Sequence, residues 1–167
     1  VSNLYLDYDD RELDSIFIGK IENNIQKQHR ETFDIQEWKD NVTIFEMPHG
    51  SPNIYKFTHD DYLNLLTKSK YGVSMRGFGP KCNREIELLA LGVVPLLMHD
   101  VDTTYHEPLI ENKHFFRINT PSDVKRIVAT TPESVWRMMS ASGREWYNRN
   151  ASPEGSFTTT LAILNKH

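Results

Sequence analysis

The sequence of 167 residues contains a single cysteine, Cys82, so it forms neither an internal disulfide bond nor a cysteine-based zinc site. A lone thiol is typical of reducing compartments, and we expect the cytosol rather than a secretory lumen. Long apolar runs are also missing. The longest, residues 88–98, is interrupted by Gly92 and Pro95 and is shorter than the roughly 18 residues of a membrane-spanning helix. We therefore expect no membrane span in this chain.

The sequence also lacks a large excess of one charge. It has 19 Lys and Arg residues and 23 Asp and Glu residues, which gives a net charge of −4. This balance provides no general attraction for nucleic acid, so we expect no such partner, and any anion site must be built from local cations. The sequence has no zinc-binding His-Glu-x-x-His and no Gly-x-Ser-x-Gly, which leaves zinc hydrolases and serine hydrolases without support.

The length is enough for one domain with a full core, but not for two nucleotide-binding domains of roughly 100–150 residues each. The acidic residues 1–13 are predicted to form an N-terminal arm, and residues 14–167 one domain. The chain begins with Val1 rather than Met, and we expect it to be a piece of a longer protein.

Short apolar segments alternate with amphipathic patterns along the chain, and this order predicts a Rossmann-like α/β domain. Its parallel sheet would carry helices on both faces, followed by a helical C-terminus. Ligands of such domains bind at the carboxyl ends of the strands. The predicted strands are 15–19, 42–45, 71–74, 93–98 and 115–118. The predicted helices begin near residues 23, 58, 82, 122, 132 and 154.

The strongest candidate site is the glycine-bearing loop after the third predicted strand. Gly77 and Gly79 allow the backbone to approach an anion closely, and the following helix turns its N-terminal amides toward the loop. Arg76, Lys81 and Arg84 add three cations. This combination favours a diphosphate, although the loop matches neither a Walker motif nor Gly-x-Gly-x-x-Gly.

A carboxylate lies one helical turn after the last of these cations. Glu87 and Arg84 are three residues apart and share a helix face, so they are able to address neighbouring parts of one ligand, with Glu87 accepting from a ribose diol. Glu85 projects to another side and is expected to act only on the helix dipole. The alternative is an ordinary surface Arg–Glu pair on a solvated helix.

The end of the first predicted strand provides a second group. Gly19 and Lys20 follow the apolar run directly, and Arg30 lies on the helix predicted after them. The glycine and the two cations are therefore candidate phosphate contacts. The alternative is a simple turn with solvated basic residues.

The pattern Arg84-x-x-Glu87, then Ala90-x-Gly92-x-x-Pro95 and an apolar strand, resembles the donor-binding signature of GT-B glycosyltransferases, most closely the exostosin-like and related families. The early Gly19 and Lys20 also resemble the phosphate-binding turn of that donor domain.

The resemblance covers roughly residues 14–130 and is specific over 71–100. It implies the C-terminal, nucleotide-sugar-binding half of a GT-B enzyme, with Arg84 on the diphosphate and Glu87 on the ribose. It further implies a nucleoside diphosphate sugar as donor, a carbohydrate or glycan hydroxyl as acceptor, and no metal or other cofactor. The catalytic base of an inverting member would lie on a separate N-terminal acceptor domain, so no catalytic residue is assigned in this chain.

Two further features have alternative interpretations. His99-Asp100-x-Asp102 follows a late strand and fits the lining of a sugar pocket better than a metal-binding Asp-x-Asp. Cys82 at a helix start is a possible nucleophile, but without a placed histidine partner a structural role is favoured.

The competing function class is a non-catalytic nucleotide-binding module, flavodoxin-like or receiver-like. A receiver domain needs acidic residues where this chain has Gly19 and Ser74, which disfavours that form. A complete small nucleotide-binding enzyme is the other rival.

Overall fold

The computed structural model describes residues 4–19, 35–46, 57–77 and 79–165. Five strands and six α-helices lie in this part of the chain. The strands are β1 (Leu13–Gly19), β2 (Thr43–Glu46), β3 (Ser69–Ser74), β4 (Val94–Met98) and β5 (Phe116–Ile118). The helices are α1 (Ile35–Lys39), α2 (His59–Thr67), α3 (Asn83–Leu91), α4 (Pro121–Thr130), α5 (Glu133–Asn150) and α6 (Pro153–Leu164).

All neighbouring strands pair in parallel, in the order β2-β1-β3-β4-β5. The predicted α/β domain with a parallel sheet and a helical C-terminus is therefore confirmed. The order is that of flavodoxin-like doubly wound sheets, in which the chain reverses its direction of travel between β1 and β3. In sheets of this class, ligands bind in the crevice at the switch point, outside the carboxyl ends of the strands.

The core lies on both faces of the sheet, as alternation along β1 shows. Ile16 and Ile18 point to the face covered by α2 and α3, whereas Phe17 points to the face covered by α1, α4 and the start of α5. All three are almost fully buried. Burial on both faces explains why the strands read as continuous apolar runs rather than as alternating patterns.

The residues at the two ends of helix α3 determine where it begins and ends. Gly92 follows its last residue with a φ of 67°, a left-handed conformation that favours glycine and ends the helix. At its N-terminus Cys82 is the capping residue, and its sulfur lies 3.6 Å from the carbonyl oxygen of Met75. The structural interpretation of this cysteine agrees with these contacts.

The predicted N-terminal arm is a docked segment in its described part. Arg11 is buried, and its guanidinium donates to the carbonyl oxygens of Thr67, Ser69, Leu91 and Gly92 at 2.8–3.3 Å. Burial lowers the pKa of Arg11 to about 10. One side chain thus joins the start of β3 to the end of α3.

Other sequence predictions have mixed outcomes. Trp136 and Trp146 are fully buried, so they are core residues and not an exposed platform for a sugar. Most of the helix predicted after residue 23 lies outside the described residues. Within the described ranges, no helix is both long and apolar enough to cross a membrane.

Candidate functional site

The predicted loop and helix face lie at the switch point of the sheet. Parallel strands end at one edge, so the ends of β1 and β3, at Gly19 and Ser74, are neighbours there. Helix α3 leaves this carboxyl edge after β3, and α2, which returns to the start of β3, also begins there. Side chains from three elements therefore converge on one place.

Arg84 reaches from the first turn of α3 to the end of β1. Its Nη2 donates to the carbonyl oxygen of Ile18 at 2.7 Å, and the guanidinium lies 4.8 Å from the centroid of the Phe17 ring. Its Nε is buried and has no hydrogen-bond acceptor among the described residues. A fixed cation with an unused donor is suited to hold an oxyanion.

The absence of a side chain at Gly19 allows the Arg84 guanidinium to approach the end of β1. A Cβ atom at this position would lie 2.9 Å from Arg84 Nη2 and 2.9 Å from Phe17 Cζ, closer than real contacts of that kind. The guanidinium thus occupies the space that a side chain at Gly19 would need. The sequence proposed these two residues from separate motifs, and the structure brings them together.

Glu87 lies one turn further along α3 and is half-buried. Its Oε2 accepts from the hydroxyl of Tyr62 on α2 at 2.7 Å. Burial raises the pKa of Tyr62, an effect that the charge of Arg84 opposes and the charge of Glu87 increases. Tyr62 is thus bonded to Glu87, and Arg84 lies one helical turn before Glu87 on the same face of α3.

Glu85 does not have the role that the sequence analysis gave it. It is completely buried, accepting from the Ser74 hydroxyl at 3.1 Å and from the Cys82 amide at 2.9 Å. Desolvation raises the pKa of this carboxyl, even though both donors act in the opposite direction. Glu85 therefore ties the start of α3 to the end of β3, and it already uses one of the amides expected to face an anion.

The loop between β3 and α3 is described except at residue 78. Gly77 is buried, and a Cβ there would lie 3.0 Å from the Cys82 sulfur. Gly79 is only partly buried, and a Cβ there would make an ordinary van der Waals contact, 3.8 Å from the Lys81 carbonyl oxygen. Arg76 is half-buried at the carboxyl edge. Their anion-binding roles stay predictions.

Lys81 makes its contacts elsewhere. Its ammonium donates to the Thr104 carbonyl oxygen at 2.6 Å, lies 3.4 Å from a carboxylate oxygen of Asp102, and sits 4.7 Å from the Tyr105 ring centroid. The sequence analysis expected three cations in one place, and the structure directs this one to the loop after β4.

Asp102 is engaged by the same contacts. Its other carboxylate oxygen accepts from the amide and hydroxyl of Thr104 at 2.7 and 2.5 Å, which lowers the pKa of Asp102. His99 is exposed and Asp100 is half-buried just after β4, as expected for a loop at the carboxyl edge. In the described ranges, no group of three metal-ligating side chains occurs.

Lys20 and Arg30 lie outside the described residues, so their contacts with the site stay predictions. The described site therefore combines Gly19, Arg84 and Glu87, with Arg76 and Gly77 at its edge.

The sequence analysis did not single out Tyr62. The signal that identifies it is topological. A helix that precedes a parallel strand begins at the carboxyl edge, so a polar tip in its first turn lies next to the ligand crevice.

No family model matches this chain, and no curated protein matches its sequence.

Proposed function

We propose that this chain is the nucleotide-sugar-binding part of a GT-B-type glycosyltransferase, related to the exostosin-like families. The observation that carries the proposal is the arrangement at the switch point. Arg84, the cation of the Arg-x-x-Glu pattern, lies against the end of β1 with a buried, unused donor, and Glu87 follows one helical turn later on the same face of α3. A cation and a carboxylate one helical turn apart on one face of α3 support a site for a diphosphate and its ribose.

In this proposal the nucleoside diphosphate is the leaving group. An acceptor hydroxyl oxygen bonds to the anomeric carbon, and the bond from that carbon to the diphosphate oxygen breaks. The hydroxyl proton passes to a base on the acceptor-binding domain. Arg84, and Lys20 by prediction, stabilise the charge that develops on the diphosphate, a preorganised electrostatic contribution that replaces a metal ion.

The first experiment is calorimetric titration of the 167-residue chain with UDP, GDP and pyrophosphate, with and without EDTA. We expect binding of at least one nucleoside diphosphate that EDTA leaves intact. Arg84→Ala removes a charge-assisted contact and should weaken nucleoside diphosphate binding about tenfold to a hundredfold. Arg126→Ala, at an exposed cation of α4, is the matched control.

The second variant tests the carboxylate. Glu87→Gln should weaken nucleoside diphosphate binding but leave pyrophosphate binding nearly intact, because only the nucleotide brings a ribose. Binding that requires Mn²⁺ or Mg²⁺, or that ignores Arg84→Ala in a folded protein, contradicts the proposal.

The strand order favours a second candidate, a non-catalytic nucleotide-binding module. The order β2-β1-β3-β4-β5 is that of flavodoxin-like folds, which bind a mononucleotide at the same switch point. A flavin mononucleotide titration separates the two. Binding of the flavin in preference to UDP and GDP favours the module.

A further inference from the structure

Tyr62 holds the Glu87 carboxylate before any ligand arrives. The phenol hydroxyl donates to Oε2 at 2.7 Å, a short contact of the charge-assisted kind. An ionised carboxylate only accepts hydrogen bonds, so the direction of this bond is fixed. The bond uses one accepting site of Glu87 and leaves the other oxygen, Oε1, for a ligand.

The tyrosine itself is held in place. It lies in the first turn of α2, which is fixed by the reciprocal cap between Thr58 and Asp61. Its ring stacks on His59 with centroids 6.2 Å apart and packs beside the buried Leu63 and Leu66. A flexible glutamate is thus anchored by a rigid neighbour on another helix.

We propose, on the basis of the proposed function, that Tyr62 is a positioning residue that makes the site select ribonucleoside diphosphates over bare diphosphate. Without the phenol hydroxyl, the Glu87 side chain is free to rotate about its bonds. Ligand binding must then fix the side chain in one conformation, which costs affinity. With the phenol in place, Oε2 is held, and Oε1 is the acceptor that remains, on the same helix face as Arg84. Only a ligand that carries hydroxyl donors next to its diphosphate, as a ribose does, gains from that orientation.

The test is Tyr62→Phe, which removes the hydroxyl and keeps the ring. UDP, GDP, their 2′-deoxy forms and pyrophosphate are titrated into the wild type and the variant. We expect the variant to bind the better ribonucleotide about two- to tenfold more weakly. Pyrophosphate affinity should stay within about twofold, and the preference for the ribo over the 2′-deoxy form should shrink.

Tyr8→Phe is the matched control. Tyr8 lies at the opposite edge of the sheet, where the ammonium of Lys70, near the start of β3, is 4.5 Å from its ring centroid. Tyr8→Phe should leave the affinities for the nucleotides and for pyrophosphate unchanged. A double variant with Glu87→Gln measures the coupling, and the effect of Tyr62→Phe on the ribonucleotide should largely vanish in that background.

The outcomes separate the two proposals. Equal weakening of nucleotide and pyrophosphate by Tyr62→Phe assigns Tyr62 a merely structural role and overturns the inference. Unchanged or tighter nucleotide binding by the variant, with Glu87→Gln still harmful, overturns the inference and leaves the proposed function standing. Absence of nucleotide binding by the wild type overturns both.

Discussion

Arg84 and Ile18 are joined by a hydrogen bond of 2.7 Å from the guanidinium to the main-chain carbonyl oxygen. The residues are 66 positions apart in the sequence, and the bond fastens the first turn of α3 to the end of β1. It spans the point where the strand order reverses, which is where doubly wound sheets bind their ligands. The candidate site therefore depends on this one side chain keeping its place.

The first prediction concerns the space that Arg84 occupies. Gly19→Ala should push the guanidinium away, because the new methyl group would lie 2.9 Å from Nη2. The unfolding free energy should fall by about 1–3 kcal/mol, as for other overpacked sites. Affinity for UDP, GDP and pyrophosphate should fall together, by up to about tenfold.

Gly79→Ala is the control for the steric argument, because the nearest atom to its Cβ is 3.8 Å away. Urea denaturation and calorimetry provide the two readouts. A stable Gly19→Ala variant with wild-type pyrophosphate affinity would contradict the prediction. It would show that the Arg84 guanidinium can shift without loss of stability or binding.

The second prediction uses the buried carboxyl of Glu85. Burial raises its pKa above the ordinary value of 4.5, so the folded state binds this proton more tightly than the unfolded state does. The contribution of Glu85 to stability is then lost as the pH rises from about 4.5 through the raised value. Glu85→Gln does not titrate, so its unfolding free energy relative to wild type should increase over that window.

Urea denaturation between about pH 4 and pH 8 measures this difference. The glutamine side chain of this variant can accept a hydrogen bond from the main-chain N–H of Cys82 and donate one to the hydroxyl of Ser74. The variant should therefore fold. Glu154→Gln, at an exposed site, is the matched control. A difference that falls with rising pH refutes the assignment. Glu85→Ala should cost about 1–3 kcal/mol, since it leaves buried polar groups unpaired.

The third prediction tests the docked N-terminal segment. Arg11→Leu removes the donor to four main-chain carbonyl groups and should lower the unfolding free energy by about 3 kcal/mol or more. Arg126→Leu, at an exposed ion pair, should change it by about 0.5 kcal/mol or less. Equal effects of the two substitutions would mean that this segment contributes little to the fold.

The elements were predictable because their signals are local. Apolar runs such as residues 93–98 have the composition of strands buried on both faces, and Gly92 ends α3 because a left-handed residue favours glycine. The α/β class follows from the order of these elements alone, without knowledge of any long-range contact. The carboxyl-edge rule then placed Gly19 and the loop around Gly77 at one edge of the sheet.

The contacts within the site were decided by the tertiary structure. Helical spacing separated Glu85 from Glu87 but did not say which one faces the core, and the structure buries Glu85 under the hydroxyl of Ser74. Lys81 and Arg84 look alike in the sequence, yet the chain between them turns one toward Asp102 and the other toward Ile18. Sequence patterns report the period of an element and its ends. The partner of a long side chain depends on which elements pack beside it, and the partners of Lys81 and Arg84 lie more than 20 residues away in the sequence.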